Sequence, residues 1–174
     1  DVVQKHGITL FSSNFTLYRD LSRRVMAVLC DEYRHISVYS IDEAFVTLRS
    51  GESEDDVRRV RDRIMKHVGI PVSIGVASTH TLAKLASTYA KRGDGVFYLD
   101  SSFLRTEGAS IPVGTIWGIG REMAATLTRD GVHTLDELIR RGIPYARSTC
   151  GVHGERIVYE LMGKSTYRLG AEDA

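Results

Sequence analysis

Apolar residues recur at three- and four-residue steps through residues 14–32, where Leu17, Leu21, Val25, Val28 and Leu29 share one face and Arg19, Asp20, Arg23 and Arg24 fill the other. That period predicts an amphipathic helix, with Ser12, Ser13 or Asn14 available to cap its start. The period then drops to two. Ile36-Ser37-Val38-Tyr39-Ser40 alternates like a half-buried strand, and Phe45-Val46-Thr47-Leu48 predicts another. The link around Asp42 and Glu43 is too short for anything but a tight antiparallel connection. A loop at Ser50-Gly51 leads into a second helix over residues 53–68, with Val57, Val60, Ile64 and Val68 inward. Glu54, Asp55 and Asp56 suit the positive end of its dipole, and Gly69 ends it. Residues 71–76 predict a third strand. Ser78 or Thr79 then caps a helix to about Lys91, packed through Leu82, Leu85, Ala86 and Tyr89. After the turn Arg92-Gly93-Asp94-Gly95, Val96-Phe97-Tyr98-Leu99 predicts a short strand.

The opening order is helix, strand, strand, helix, strand. With one strand placed in front it becomes β-α-β-β-α-β, the ferredoxin-like unit of an α+β fold. The first strand of that unit lies between the others, so the pattern predicts a sheet with a central gap and a segment missing from its front. Beyond about Ser101 the strand pattern stops. Ile111-Pro112-Val113 precedes Gly118-Ile119-Gly120, a helix runs through Met123, Ala124 and Leu127, and Gly131 leads to Thr134-Leu135-Asp136-Glu137-Leu138. Residues 101–174 therefore predict a small all-helical domain.

Composition adds little. The 174 residues are 43% hydrophobic and 26% charged, as expected for a globular chain of one domain or two small ones. Residues 1–100 hold 14 Lys/Arg against 13 Asp/Glu, and the remainder holds 9 of each, so charge alone does not point to nucleic acid. There is no run of 18 apolar residues, and the N-terminus lacks the pattern of a secretion signal. The expected setting is cytoplasmic, with Cys30 and Cys150 as separate reduced thiols. The histidines show no zinc spacing, Asn14-Phe15-Thr16 is a sequon without secretion, and Trp117 and the tyrosines read as packing residues.

Candidate chemistry begins at the adjacent acids Asp42 and Glu43. Neighbouring strand residues point to opposite faces, so the two carboxylates diverge unless a turn or bulge brings them together. Converged, they suit a hard divalent cation such as Mg²⁺, and phosphoryl transfer commonly uses two such ions about 3.5–4 Å apart. Two carboxylates are too few for a pair of ions, so a third acid is expected nearby. Taken alone, Asp-Glu also fits a plain solvated turn.

The surrounding residues carry a resemblance. Tyr39-Ser40-Ile41-Asp42-Glu43-Ala44-Phe45 resembles the signature palm motif of Y-family, or translesion, DNA polymerases. Residues 71–78 with Thr81-Leu82-Ala83-Lys84-Leu85-Ala86 and Ala90-Lys91 resemble the second palm motif, and residues 112–120 the start of the thumb. Phe11-Ser12-Ser13-Asn14-Phe15-Thr16-Leu17-Tyr18 and Ser22-Arg23-Arg24-Val25-Met26 resemble the fingers-to-palm junction. The likeness is to the bacterial branch containing the DNA polymerase V catalytic subunit, and it spans nearly the whole chain.

The resemblance implies residues 1–10 at the end of the fingers, a palm over 11–100 and a thumb over 101–174. It implies that Asp42 and Glu43 are metal-binding and catalytic, and that Lys91 contacts the triphosphate of the incoming deoxynucleotide. Ser40 shapes the turn or approaches the primer. Gly118 and Gly120 read as a helix-hairpin-helix whose backbone nears a DNA phosphate, with Arg121 adding charge; Gly-x-Gly alone also fits a plain interhelical turn. Implied partners are primer-template DNA and deoxynucleoside triphosphates, with a sliding clamp and SOS accessory proteins reached through regions outside this chain. The family's first strand, which carries the third acid, is not among these residues. The expectation is a polymerase piece that does not extend primers by itself; the alternative is a non-catalytic DNA-binding module.

Overall fold

The computed structural model describes residues 2–167. A short helix α1 (Val2–Lys5) precedes α2 (Phe15–Glu32), which starts where the Asn14 side chain accepts from the Leu17 N–H at 3.0 Å. Strands β1 (Ile36–Val38) and β2 (Ala44–Val46) pair antiparallel, Ile36 opposite Val46 and Val38 opposite Ala44. Helix α3 (Glu54–Val68) opens on a reciprocal capping box between Ser53 and Asp56 and closes on Gly69 at φ 81°. Then β3 (Ile74–Val76), α4 (His80–Ala90) and β4 (Val96–Tyr98) form a unit with its two strands parallel. Every strand is three residues long, shorter than the alternation predicts.

The strands form two separate two-stranded sheets, β1-β2 and β3-β4. Between them lies a cavity of about 1120 Å³ bounded by α2, β2, β3 and α4. This cavity explains a departure in α2. Of its predicted inner stripe only Val28 is buried, because Leu21, Val25 and Leu29 face the cavity and Leu17 is exposed.

The second half is helical. Helix α5 (Ser101–Glu107), capped by Asp100, is followed by 3₁₀ turns at Gly108–Ser110 and Val113–Thr115, then α6 (Arg121–Arg129) and α7 (Leu135–Leu161). Helix α7 begins with a Thr134/Glu137 capping box and is interrupted at Gly142 (φ 78°) and Gly151 (φ 67°), so it is three short helices end to end.

Two cores hold the chain. The smaller joins α2 and α3 through Val28, Tyr33, Val60 and Ile64. The larger runs from Leu82, Leu85 and Ala86 of α4 into the helical half at Leu127, Leu135 and Leu161. Helix α4 thus serves both halves: it covers the β3-β4 sheet and is also part of the helical core.

The seam is pinned by Glu160, which is fully buried. Its carboxylate accepts from the Thr81 N–H at 3.1 Å, in the first turn of α4, and from the Thr166 N–H at 2.5 Å and hydroxyl at 3.2 Å. The Thr79 hydroxyl donates to the Glu160 carbonyl at 2.9 Å. Five rings cross the same seam: Phe45 meets His80 at 4.5 Å between centroids, and Trp117 touches Tyr39 at 5.4 Å, Phe45 at 5.8 Å and Tyr167 at 5.4 Å. Burial among them lowers the pKa of His80.

Candidate active site

The β1-β2 connection is the tight turn that the two acids require. The N–H groups of Tyr39 and Ser40 both donate to the Glu43 carbonyl, at 2.9 and 3.1 Å, folding residues 40–42 outward. Within that turn the Ser40 hydroxyl donates to Asp42 Oδ1 at 2.6 Å. Its hydrogen bond, outweighing a modest desolvation, holds the Asp42 carboxyl below the usual carboxylate range, and the charges of Lys84 and Lys91 push it the same way. Asp42 is therefore ionised at neutral pH.

Glu43 is held from elsewhere in the fold. Its carboxylate is ion-paired with Lys84 of α4, with both side chains about two-thirds or more covered. Lys84 Nζ also lies 6.0 Å from the Tyr39 ring centroid. Lys84, Ser87 and Lys91 fall at i, i+3 and i+7, one stripe of α4. All three line the cavity with Asp42 and Glu43. One polar end of an otherwise largely apolar cavity thus carries two carboxylates from the hairpin and two ammonium groups from the helix.

The structure gathers Asp42, Glu43 and Lys91 around this cavity, with Ser40 supporting Asp42 from the turn. Lys84 belongs with them, although the sequence reading left it without a role. Its signal was available, since it stands seven residues before Lys91 on one helical face.

Gly118 and Gly120 lie apart, on the turn before α6, and Arg121 is the first residue of that helix. Gly118 has φ 91°, its carbonyl is 2.9 Å from the His153 ring nitrogen, and a Cβ there would stand 3.2 Å from Ile157 Cδ1. Gly120 caps α6 without any side-chain hydrogen bond, and a Cβ there would meet nothing within 4 Å. Arg121 is exposed. The start of α6 therefore offers uncapped N–H groups beside a cation, a geometry suited to a phosphate. Trp117, adjoining this turn, packs edge-on against Tyr39 and so links it to the acid hairpin.

The donor set fits a hard divalent cation in kind: two carboxylates on one turn, one of them firmly ionised. It is incomplete in number, because among the described residues no three His, Cys, Asp or Glu side chains gather as a metal group.

A direct check concerns Ser40. A depressed carboxyl pKa stabilises the folded state above the ordinary carboxylate range, and that contribution is lost as pH falls through the depressed value. Ser40→Ala will move the Asp42 titration up, toward the ordinary carboxylate range, because the largest lowering contact is removed. Following its carboxyl carbon by NMR measures this; an unmoved midpoint would show that the Ser40 contact is not held in solution.

A profile of the impB/mucB/samB family matches residues 2–88. The chain is 34% identical to Protein MucB of Escherichia coli over 97% of its own length and 42% of that protein. It is 36% identical to Protein UmuC of Salmonella typhimurium over 95% of its length and 42% of that protein. The fold superposes on the crystal structure of a DinB family error-prone DNA polymerase from Sulfolobus solfataricus with TM-score 0.80 at 20% identity, covering 96% of this chain and 52% of that one. The chain thus spans about two fifths of the length of these curated relatives.

Proposed function

The chain belongs to the impB/mucB/samB family, and from that premise we propose that it is the palm (residues 11–100, after the end of the fingers at 1–10) and the thumb (residues 101–174) of a translesion DNA polymerase. One observation carries the reading: the ionised Asp42 and the Lys84-paired Glu43 share a cavity end with Lys91. The reaction is template-directed attack of a primer 3′ hydroxyl on the α-phosphate of a deoxynucleoside triphosphate, which releases pyrophosphate.

In that reaction Asp42 and Glu43 are the residues that would hold Mg²⁺, which would supply charge stabilisation to the phosphates and acidify the primer hydroxyl. Lys91, at the exposed end of the lysine stripe, offsets charge on the triphosphate. Ser40 keeps Asp42 aimed. The turn from Gly118 to Arg121 grips a backbone phosphate without reading bases, as a polymerase accepting any template requires. Strands β2 and β3 belong to separate two-stranded sheets, and an extended strand placed between them would pair with both. An acid delivered on that strand would complete the metal site. Such a strand would complete the ferredoxin-like palm.

Primer extension tests the reading. A full-length protein carrying this chain incorporates nucleotides with Mg²⁺, and Asp42→Asn lowers the rate at least about 100-fold by removing a carboxylate that would hold the metal. The 174 residues alone, with two carboxylates, incorporate none. Unchanged incorporation by the Asp42→Asn protein would refute the assignment.

The uncapped start of α6 keeps the second reading, duplex binding without chemistry, in play. Both readings expect Arg121→Ala to weaken duplex binding uniformly across sequences and to reduce its salt slope by about one. Only the polymerase reading expects Asp42→Asn to abolish incorporation while leaving duplex binding intact.

A further inference from the structure

Asp42 and Glu43 are adjacent acids on one turn, and two ionised carboxylates facing one cavity repel each other. Each is restrained by a different group. Ser40, in the same turn, holds Asp42 by a neutral hydroxyl hydrogen bond. Lys84, from α4 and 41 residues away, holds Glu43 by an ion pair. The second arrangement places a full positive charge on the acid pair. The Lys84 ammonium engages Glu43 Oε1 alone. It stands at the end of a four-carbon stem that can swing, with the Tyr39 ring beside it.

We propose that Lys84 is a stand-in counter-charge: it occupies Glu43 while the acid pair lacks a divalent cation, and it is displaced from the carboxylate when one binds. This rests on the reading of Asp42 and Glu43 as metal ligands. A single ammonium satisfies one carboxylate, whereas a divalent ion bridges both and carries twice the charge, so the ion wins at sufficient concentration. Until then Lys84 relieves the repulsion between the acids.

The test is Mn²⁺ binding by the whole 174-residue chain, followed through the electron paramagnetic resonance of the free ion. Lys84→Met removes the competing positive charge from Glu43 and is expected to tighten Mn²⁺ binding about fivefold. Lys84→Arg keeps the charge and should bind as the parent chain does. A residue that merely props the fold would give the opposite sign, since its loss disorders the acids and weakens binding. Unchanged or weaker binding in Lys84→Met therefore overturns the inference. Glu43→Gln and Asp42→Asn separate this failure from the other: if neither reduces Mn²⁺ binding by the parent chain, the ion binds elsewhere. That outcome overturns the catalytic-site reading and the inference with it.

Discussion

Gly75→Ala will destabilise the chain by about 3 kcal/mol or more, at or beyond the upper end of what overpacking a core costs. Gly75 is the middle residue of β3, which packs directly against α4. A Cβ built there collides with the Ser87 nitrogen, the Ala83 carbonyl oxygen and the Ala86 carbonyl carbon. All three are main-chain atoms of a helix, so no side chain can rotate away; β3 and α4 must separate. That separation would open the β-α-β unit and disturb the stripe holding Lys84 and Lys91. Thermal unfolding should shift down by roughly 6–12 °C for a chain of this size. Gly120→Ala is the matched control, since nothing lies within 4 Å of its Cβ position. If the two variants melt together, the close approach of β3 to α4 is not what constrains Gly75.

Glu160→Ala is the second large effect, expected at about 3 kcal/mol from stranding buried donors. Removing the carboxylate leaves the buried Thr81 N–H and the half-buried Thr166 N–H without their acceptor. Glu160→Gln should cost roughly half as much, because one amide oxygen can serve only one side of the seam. A spectroscopic consequence accompanies the loss. Thr166 precedes Tyr167, whose ring lies 5.4 Å from Trp117, the single tryptophan of the chain. Once Thr166 is released, Trp117 becomes more solvated and its emission moves to the red. Urea unfolding and tryptophan emission measured on the same samples check both outcomes. A destabilised variant with unmoved emission would mean that Glu160 secures α4 alone.

Both predictions concern residues to which the sequence reading assigned no role. Gly75 sits inside a recognised motif as one residue of a strand, and Glu160 falls in the predicted helical domain with no motif around it. Neither carries a local signature, because the atoms that make each one critical lie 8 or more residues away for Gly75 and mainly 79 for Glu160. Lys84 differs: its spacing from Lys91 is visible in the sequence, but its partner Glu43 lies 41 residues away.

What could be read from the chain itself was local. Caps at Asn14, Ser53 and Thr79 act within three residues, and the helical stop at Gly69 is a property of one backbone angle. The order of helices and strands, the tight turn at Asp42-Glu43 and the apolar stripes of α3 and α4 follow from spacing alone. Strand lengths did not, since pairing partners decide where a strand ends.

Only the tertiary structure decided which faces were covered. The stripe of α2 predicted as buried opens on a cavity, because burial requires a partner and periodicity supplies only one side of the contact. Helix α4 has two partners, which its pattern could not distinguish. The acids were visible as a pair in the sequence; their counter-charges became visible only when α4 folded across the hairpin.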